Sequence, residues 1–300
     1  MSPHNLLIVG GSGAIGTELI EKIEEYDVIY VIDRELPDVI SSNCKFFQCD
    51  LNDNNSMTKI KDELPNDLIV LYLAANLSNS IKQEDLLNSI TDNIIALVNF
   101  ITFFASKLNH LIYISSIAVY GIPKYNPIDE KHPLNPYSIY GATKACAENI
   151  GSTLCQQFNI PLTIIRTTQL FGLPSANNTL PHMLKNNMKI GKKIKISCDP
   201  NCKRDYLHIS DFSSFINMLI RSPKKGLFNL GSGYGIKISD LFKIAYEASG
   251  FSFDLSKVLE DKLNPSFSQI MNIQQIQNVY GFQPKYQMKE WFKDNSNTSF

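Results

Sequence analysis

Leu6-Leu7-Ile8-Val9-Gly10-Gly11-Ser12-Gly13-Ala14-Ile15-Gly16 is the stretch whose reading decides the fold. An apolar run the length of a strand stops at a glycine cluster, and a helical pattern through Leu19, Ile20 and Ile23 follows at once. Gly10, Gly13 and Gly16 stand three apart. Glycine there permits a tight turn and lets backbone N–H groups approach a pyrophosphate that a side chain would hold off. The positive end of the following helix then faces that anion. A plain glycine-rich turn between strand and helix has the same spacing, so residues downstream must decide.

The first of them is Asp33. It ends the apolar run Val28 to Ile32 and lies 17 residues after Gly16, near the offset at which a carboxylate takes ribose hydroxyls of a dinucleotide. A carboxylate repels a 2′-phosphate, so NAD is expected in preference to NADP. Arg34 beside it pulls the other way, because a guanidinium accepts such a phosphate.

Strand-like runs recur at Lys45–Gln48, Leu68–Leu73, Leu111–Ser115 and Leu162–Arg166. Leu68–Leu73 is apolar throughout, as a parallel strand buried on both faces should be. Between the runs, Asp92 to Leu108 places Ile94, Leu97, Val98, Ile101, Phe104, Ala105 and Leu108 at helical spacing. Alternation of this kind predicts an α/β, Rossmann-type doubly wound parallel sheet over residues 1–166. Beyond Arg166 the loops lengthen, Asn and Pro become frequent, and only short segments are legible. These are Pro181–Met188, Lys193–Ile196, Gly226–Leu230, Ser239–Ser249, Asn272–Tyr280 and Met288–Lys293. Residues 167–300 are therefore expected to form mainly a smaller substrate-binding lobe, with some segments returning to the core.

Composition narrows the partners. The chain has 300 residues, 44% hydrophobic and 19% charged, with a formal net charge of -1 and no basic cluster, which gives no electrostatic case for nucleic acid or a membrane surface. The longest apolar runs are strand-sized, and the first strand begins almost at the N-terminus, so neither a membrane span nor a signal peptide is expected. The six cysteines show no metal-binding spacing. Free thiols, no metal and a cytoplasmic setting are the expectation.

Chemistry gathers after the fifth strand. Ligands bind outside the carboxyl ends of strands in such sheets, which places Ser115 and Ser116 at the site. Tyr140 and Lys144 follow, four apart and hence on one face of a helix. A phenol titrates near pH 10, too high for a base at neutral pH; a nearby ammonium would favour the phenolate. Tyr140 would then take a proton from a substrate hydroxyl, with Ser116 bonding the same oxygen.

Glycine loop, ribose acid, Ser-Ser and Tyr-x-x-x-Lys in this order resemble the extended short-chain dehydrogenase/reductase family, of the nucleotide-sugar epimerase and dehydratase type. The resemblance covers nearly the whole chain. It implies cofactor contacts from Gly10, Gly13, Ala14, Ile15, Gly16, Asp33, Arg34, Asp50, Leu51, Ala74, Ala75, Asn93, Tyr140 and Lys144, and catalysis by Ser116, Tyr140 and Lys144. Asn177-Asn178-Thr179-Leu180-Pro181 and Arg204-Asp205-Tyr206-Leu207-His208 are similar to the family's segments that hold a sugar nucleotide's diphosphate, implying roles for Asn178 and Arg204. Gln169 stands where relatives carry an asparagine at the substrate.

Departures from the family pattern point to the reaction. Relatives that dehydrate carry Asp-Glu after the catalytic Ser/Thr; here Ile117 and Ala118 stand there, and neither moves a proton. The last sixty residues contain no arginine, where many relatives place a second diphosphate ligand; Lys262 is the available substitute. The resemblance thus implies an NAD-dependent epimerase of a nucleotide-diphosphate sugar, acting at C4 through a 4-keto sugar. A 4-keto-6-deoxysugar reductase and a non-catalytic cofactor-binding protein are the alternatives. It also implies a homodimer, joined through the helices of Asp92–Leu108 and Ser138–Phe158.

Overall fold

The computed structural model describes residues 5–23, 26–37, 42–173, 179–190, 195–196, 199–249, 259–260 and 266–294. In chain order the first elements are β1 (Asn5–Val9), α1 (Ala14–Ile20), β2 (Ile29–Asp33), β3 (Cys44–Gln48), α2 (Asn54–Lys61), β4 (Leu68–Tyr72), α3 (Gln83–Ile90), α4 (Ala96–Phe104) and β5 (Leu108–Ser116). Then come α5 (Ile139–Gln157), β6 (Leu162–Thr167), β7 (Gln169–Phe171), α6 (Leu180–Ile190), β8 (Lys195–Ile196), β9 (Lys203–His208) and α7 (Ile209–Arg221). The last are β10 (Gly226–Leu230), β11 (Gly235–Lys237), α8 (Ile238–Ser249), β12 (Leu259–Glu260), α9 (Gln274–Tyr280) and α10 (Met288–Lys293).

The chain divides into two compact units. One comprises residues 1–121, 133–167 and 215–228, and carries a seven-stranded sheet in the order β10-β6-β5-β4-β1-β2-β3. Strands β1 to β6 pair in parallel. The order 3-2-1-4-5-6 is the doubly wound arrangement predicted from the alternation of runs, and its direction reverses between β1 and β4. Leu7, Val9, Val70, Tyr72, Leu111 and Tyr113 alternate onto one sheet face, where Leu97, Phe100, Ile101 and Phe104 of α4 pack. Leu6, Ile8, Ile69, Leu71 and Ile112 on the other face are equally buried, which is why these strands read as unbroken apolar runs.

Several boundaries differ from the sequence reading. The helix expected from Asp92 begins at Gln83 and continues to Lys107, through a π turn at Thr91–Ile95. It is 25 residues long and contains an 18-residue window of mean hydropathy 1.4, long and apolar enough by those measures to cross a membrane, yet its Phe100, Ile101 and Phe104 lie in the core of this unit. β5 starts at Leu108 rather than Leu111, because Leu108 and His110 already pair with β4. Gly226–Leu230, grouped by sequence with the smaller lobe, joins the large sheet beside β6.

The second unit comprises residues 122–132, 168–214 and 229–300. It holds the three-stranded sheet β11-β9-β7 and the pair β12-β8. Its core is aromatic: Phe171, Tyr206, Phe242, Trp291 and Phe292 pack with Leu184, Leu241 and Met288. Asp205 of β9 is buried, accepting from the Ser232, Gly233 and Met271 backbone N–H groups.

Candidate active site

The carboxyl ends of β1, β2, β3 and β4 surround a cavity of about 300 Å³ lined by Gly10, Gly13, Asp33, Arg34, Asp50, Leu51, Ala74 and Ala75. Gly10 has φ +85, and a Cβ there would lie 2.5 Å from the Ala74 nitrogen, so the loop closes on the end of β4 only with glycine. Asp33 Oδ2 accepts from Ser12 N at 2.9 Å and Oδ1 from Arg34 N at 2.7 Å, which fixes its carboxylate at the cavity wall. Arg34 is engaged by Asp92 at 2.9 Å, and Asp92 is held in turn by Asn76 Nδ2.

The cavity suits the adenosine half of a dinucleotide. Its volume falls within the range of small-molecule sites. It offers a carboxylate for hydroxyls and a glycine-walled floor at the switch point of the sheet. Asn52, which sequence reading did not single out, also lines it, and its buried Oδ1 has no hydrogen-bond partner among the described residues. An acceptor left open in that position matches an amino-group donor such as adenine carries.

Not every expected cofactor residue lines this cavity. Ala14, Ile15 and Gly16 do not; a Cβ on Gly16 would meet the Gly11 carbonyl at 2.5 Å, so that glycine is required by the packing of helix against loop. Asn93 is buried rather than lining. Its amide donates to Asn76 O and Thr143 Oγ1 and accepts from Asn76 N, which ties the π turn to α5 and to the segment after β4.

Ser116, Tyr140 and Lys144 belong to the same unit as the cavity. Ser116 ends β5, and its Oγ accepts from Ala118 N at 3.2 Å, capping the 3-10 turn Ile117–Tyr120. Tyr140 stands in the first turn of α5, whose N-cap Ser138 accepts from Gly141 N; Asn79 Oδ1 accepts from Tyr140 N. Burial raises the Tyr140 phenol above its ordinary value, and the neighbouring Ser116 hydroxyl partly opposes that rise.

Lys144, expected from sequence to favour the Tyr140 phenolate, is engaged with β5. Lys144 is buried, donates from Nζ to Ile114 O at 2.6 Å and lies 4.1 Å from the centre of the Tyr113 ring. Burial lowers it from 10.5 to about 7, with the Glu148 carboxylate holding it up. Ser115 also departs from expectation. Its side chain is buried and donates to Glu148 Oε1, two helical turns along α5 from Tyr140.

Gln169 and Arg204 lie in the second unit. Gln169 is exposed on β7. The Arg204 guanidinium donates to Phe267 O and lies over the Phe267 ring at 5.0 Å. Asn178 and Lys262 lie outside the described residues. Among the described residues no group of three His, Cys, Asp or Glu side chains is set to hold a metal ion, and Cys44, Cys49, Cys146, Cys155 and Cys202 are free thiols.

A doubly wound sheet with a glycine-loop cavity and a Ser–Tyr–Lys group is the construction of the extended short-chain dehydrogenase/reductase class. Residues 6–231 match the NAD dependent epimerase/dehydratase family, and the chain belongs to that family. It is therefore an enzyme of an NAD-dependent group. It is 24% identical over 308 residues to a UDP-glucose 4-epimerase of Lactobacillus helveticus, covering 94% of this chain and 92% of that one. To a dTDP-D-glucose 4,6-dehydratase of Dictyostelium discoideum it is 28% identical over 268 residues, covering 80% of this chain and 61% of that protein. The fold is similar to that of Thermotoga maritima UDP-glucose 4-epimerase solved with UDP-glucose, with TM-score 0.84, 23% identity and 96% of both chains covered.

Proposed function

We propose that this protein epimerises a nucleotide-diphosphate hexose at C4. The observation that carries the proposal is the placement of the Ser116 hydroxyl beside the Tyr140 phenol, one helical turn from Lys144, with Ile117 and Ala118 following Ser116 where a dehydrating relative needs proton-transferring side chains. Tyr140 takes the proton of the C4 hydroxyl and later returns it, while Ser116 holds that oxygen in line. NAD, when bound, supplies the hydride acceptor and donor, so a reaction that takes and returns the same hydride needs no second nicotinamide. Ile117 and Ala118 beside Ser116 supply no carboxylic acid to drive loss of water from C5 and C6.

Gly10, Gly13, Asp33, Asp50, Leu51, Ala74 and Ala75 would hold the cofactor, with Asn52 added to the set. Asp33, together with the engagement of Arg34 by Asp92, supports NAD over NADP. Asn178, Arg204 and Gln169 would meet the sugar nucleotide. Reduction of a 4-keto-6-deoxysugar uses the same three catalytic residues and is the second reading, favoured by the absence of arginine from the last sixty residues. Incubation with UDP-, dTDP-, GDP- and CDP-hexoses separates the two. C4 interconversion supports the epimerase, and turnover confined to 4-keto sugars with stoichiometric oxidation of NAD(P)H contradicts it.

A further inference from the structure

Behind the catalytic residues lies a buried polar circuit that the mechanism above does not use. Glu148, Arg166 and Ser115 are 4%, 5% and 1% exposed. Arg166 Nε donates to Glu148 Oε1 at 3.0 Å, and Nη2 to Oε2 at 2.6 Å. Its remaining Nη1 reaches the Tyr120 hydroxyl at 3.0 Å, with the guanidinium over the Tyr120 ring at 4.8 Å. Ser115 completes the circuit through its bond to Glu148.

The placement matters more than the bonds. Tyr140, Lys144 and Glu148 recur every four residues on α5, so they share one face. Two neighbouring positions of β5 meet that face: Ile114 O accepts from Lys144 Nζ, and Ser115 Oγ donates to Glu148. The next residue of β5 is Ser116. Arg166 of β6 secures Glu148 from the adjacent strand, and Tyr120 ends the turn that Ser116 caps.

We propose that Glu148 is a positioning residue: bonded to Ser115 and to Arg166, it fixes α5, and with it Tyr140 and Lys144, against the strand end that carries Ser116. The proposal rests on the Ser116–Tyr140–Lys144 reading above. A second consequence is electrostatic. The titratable groups about Lys144 are Tyr113 of β5, Tyr140, Cys146 and Glu148 of its own helix, and Tyr72 of β4 behind Tyr113, with Arg166 and Tyr120 behind Glu148. Glu148 is the carboxylate that opposes the cost of burying the Lys144 ammonium. Removing its charge moves the Lys144 titration to lower pH.

The test compares Glu148→Gln, Glu148→Asp and Ser115→Ala in the full chain. Two readouts are taken: kcat and KM with NAD and the nucleotide sugar, and the titration of Lys144. The titration is followed by NMR of ε-¹³C-lysine in protein without nucleotide sugar, and assigned by Lys144→Arg. Glu148→Gln should lower kcat by about tenfold or more with KM little changed, and shift the Lys144 midpoint to lower pH. Glu148→Asp should return that midpoint toward the parent's while recovering only part of kcat. Ser115→Ala should lower kcat a few-fold with the Lys144 midpoint in place. Parent kcat and parent Lys144 midpoint in folded Glu148→Gln would overturn the proposal. If that variant is insoluble, parent kcat in Ser115→Ala overturns it instead. A parent protein that turns over no nucleotide sugar would defeat the functional reading, and the Lys144 midpoints would still decide whether Glu148 acts on Lys144.

Discussion

At Gly10, where φ is +85 and a Cβ would meet backbone, substitution has little room to succeed. Gly10→Ala is expected to cost about 1–3 kcal/mol through strain alone and to weaken NAD binding, read as a lower melting temperature and a raised Kd by calorimetry. Tyr140→Phe removes the proton carrier and little else. It should lower turnover by about 10²–10⁴-fold while nucleotide-sugar affinity stays near that of the parent. Gly10, Asp33, Ser116, Tyr140 and Lys144 could be proposed from sequence because each chemistry needs one residue type at one offset. Ser115, placed by sequence beside Ser116, bonds Glu148, which lies some thirty residues later in the chain. Glu148 continued the spacing of Tyr140 and Lys144, but its partner Arg166 comes from another strand, and no local pattern announces that pairing. Asn52 was hidden for a different reason: an unpaired acceptor is a property of the folded cavity.

Among the elements, the parallel strands announced themselves through unbroken apolar runs, whereas α7 did not. Ile209, Phe212, Phe215, Ile216, Leu219 and Ile220 are buried at helical spacing, but the helix follows β9 directly, with no glycine or proline between them. The diphosphate-like motif at Arg204 to Asp211 drew the reading toward chemistry and away from that periodicity. β5 and β6 are further joined by His110, whose Nε2 lies 2.7 Å from Thr163 Oγ1. Thr163 gives its proton to Lys224 O just ahead of β10, so the His110 Nε2 must be the donor. Burial lowers His110 from 6.5 to about 4. Between those pH values the unfolded chain binds the extra proton, so the stabilising contribution is complete above about 6.5 and is lost as pH falls toward 4. His110→Gln keeps a donor to Thr163 without a titration. Urea unfolding of that variant should show a shallower loss of stability than the parent across the same pH window.

For the whole molecule, local pattern supplied the doubly wound half more readily than the remainder. A strand such as Gly226–Leu230 reveals its extended backbone but not its neighbour, and its place beside β6 is set by partners some sixty residues earlier. The return of residues 215–228 to the first unit and the departure of residues 122–132 from it have the same origin. The expected homodimer, formed through the helices of Asp92–Leu108 and Ser138–Phe158, belongs at this scale. Light scattering should give about twice the chain mass of 33.8 kDa, and a monomer across the working concentration range would reject it.

The claim that the enzyme takes a hydride from C4 and returns it to the same carbon is tested most directly by isotope. Nucleotide hexoses carrying deuterium at C4 are incubated with the protein and a substoichiometric amount of NAD, and the products are followed by NMR. C4 epimers that both retain the deuterium, with no net accumulation of reduced nicotinamide, are the predicted result. No epimer, together with one-for-one consumption of NAD(P)H when a 4-keto-6-deoxy nucleotide sugar is supplied, would contradict it.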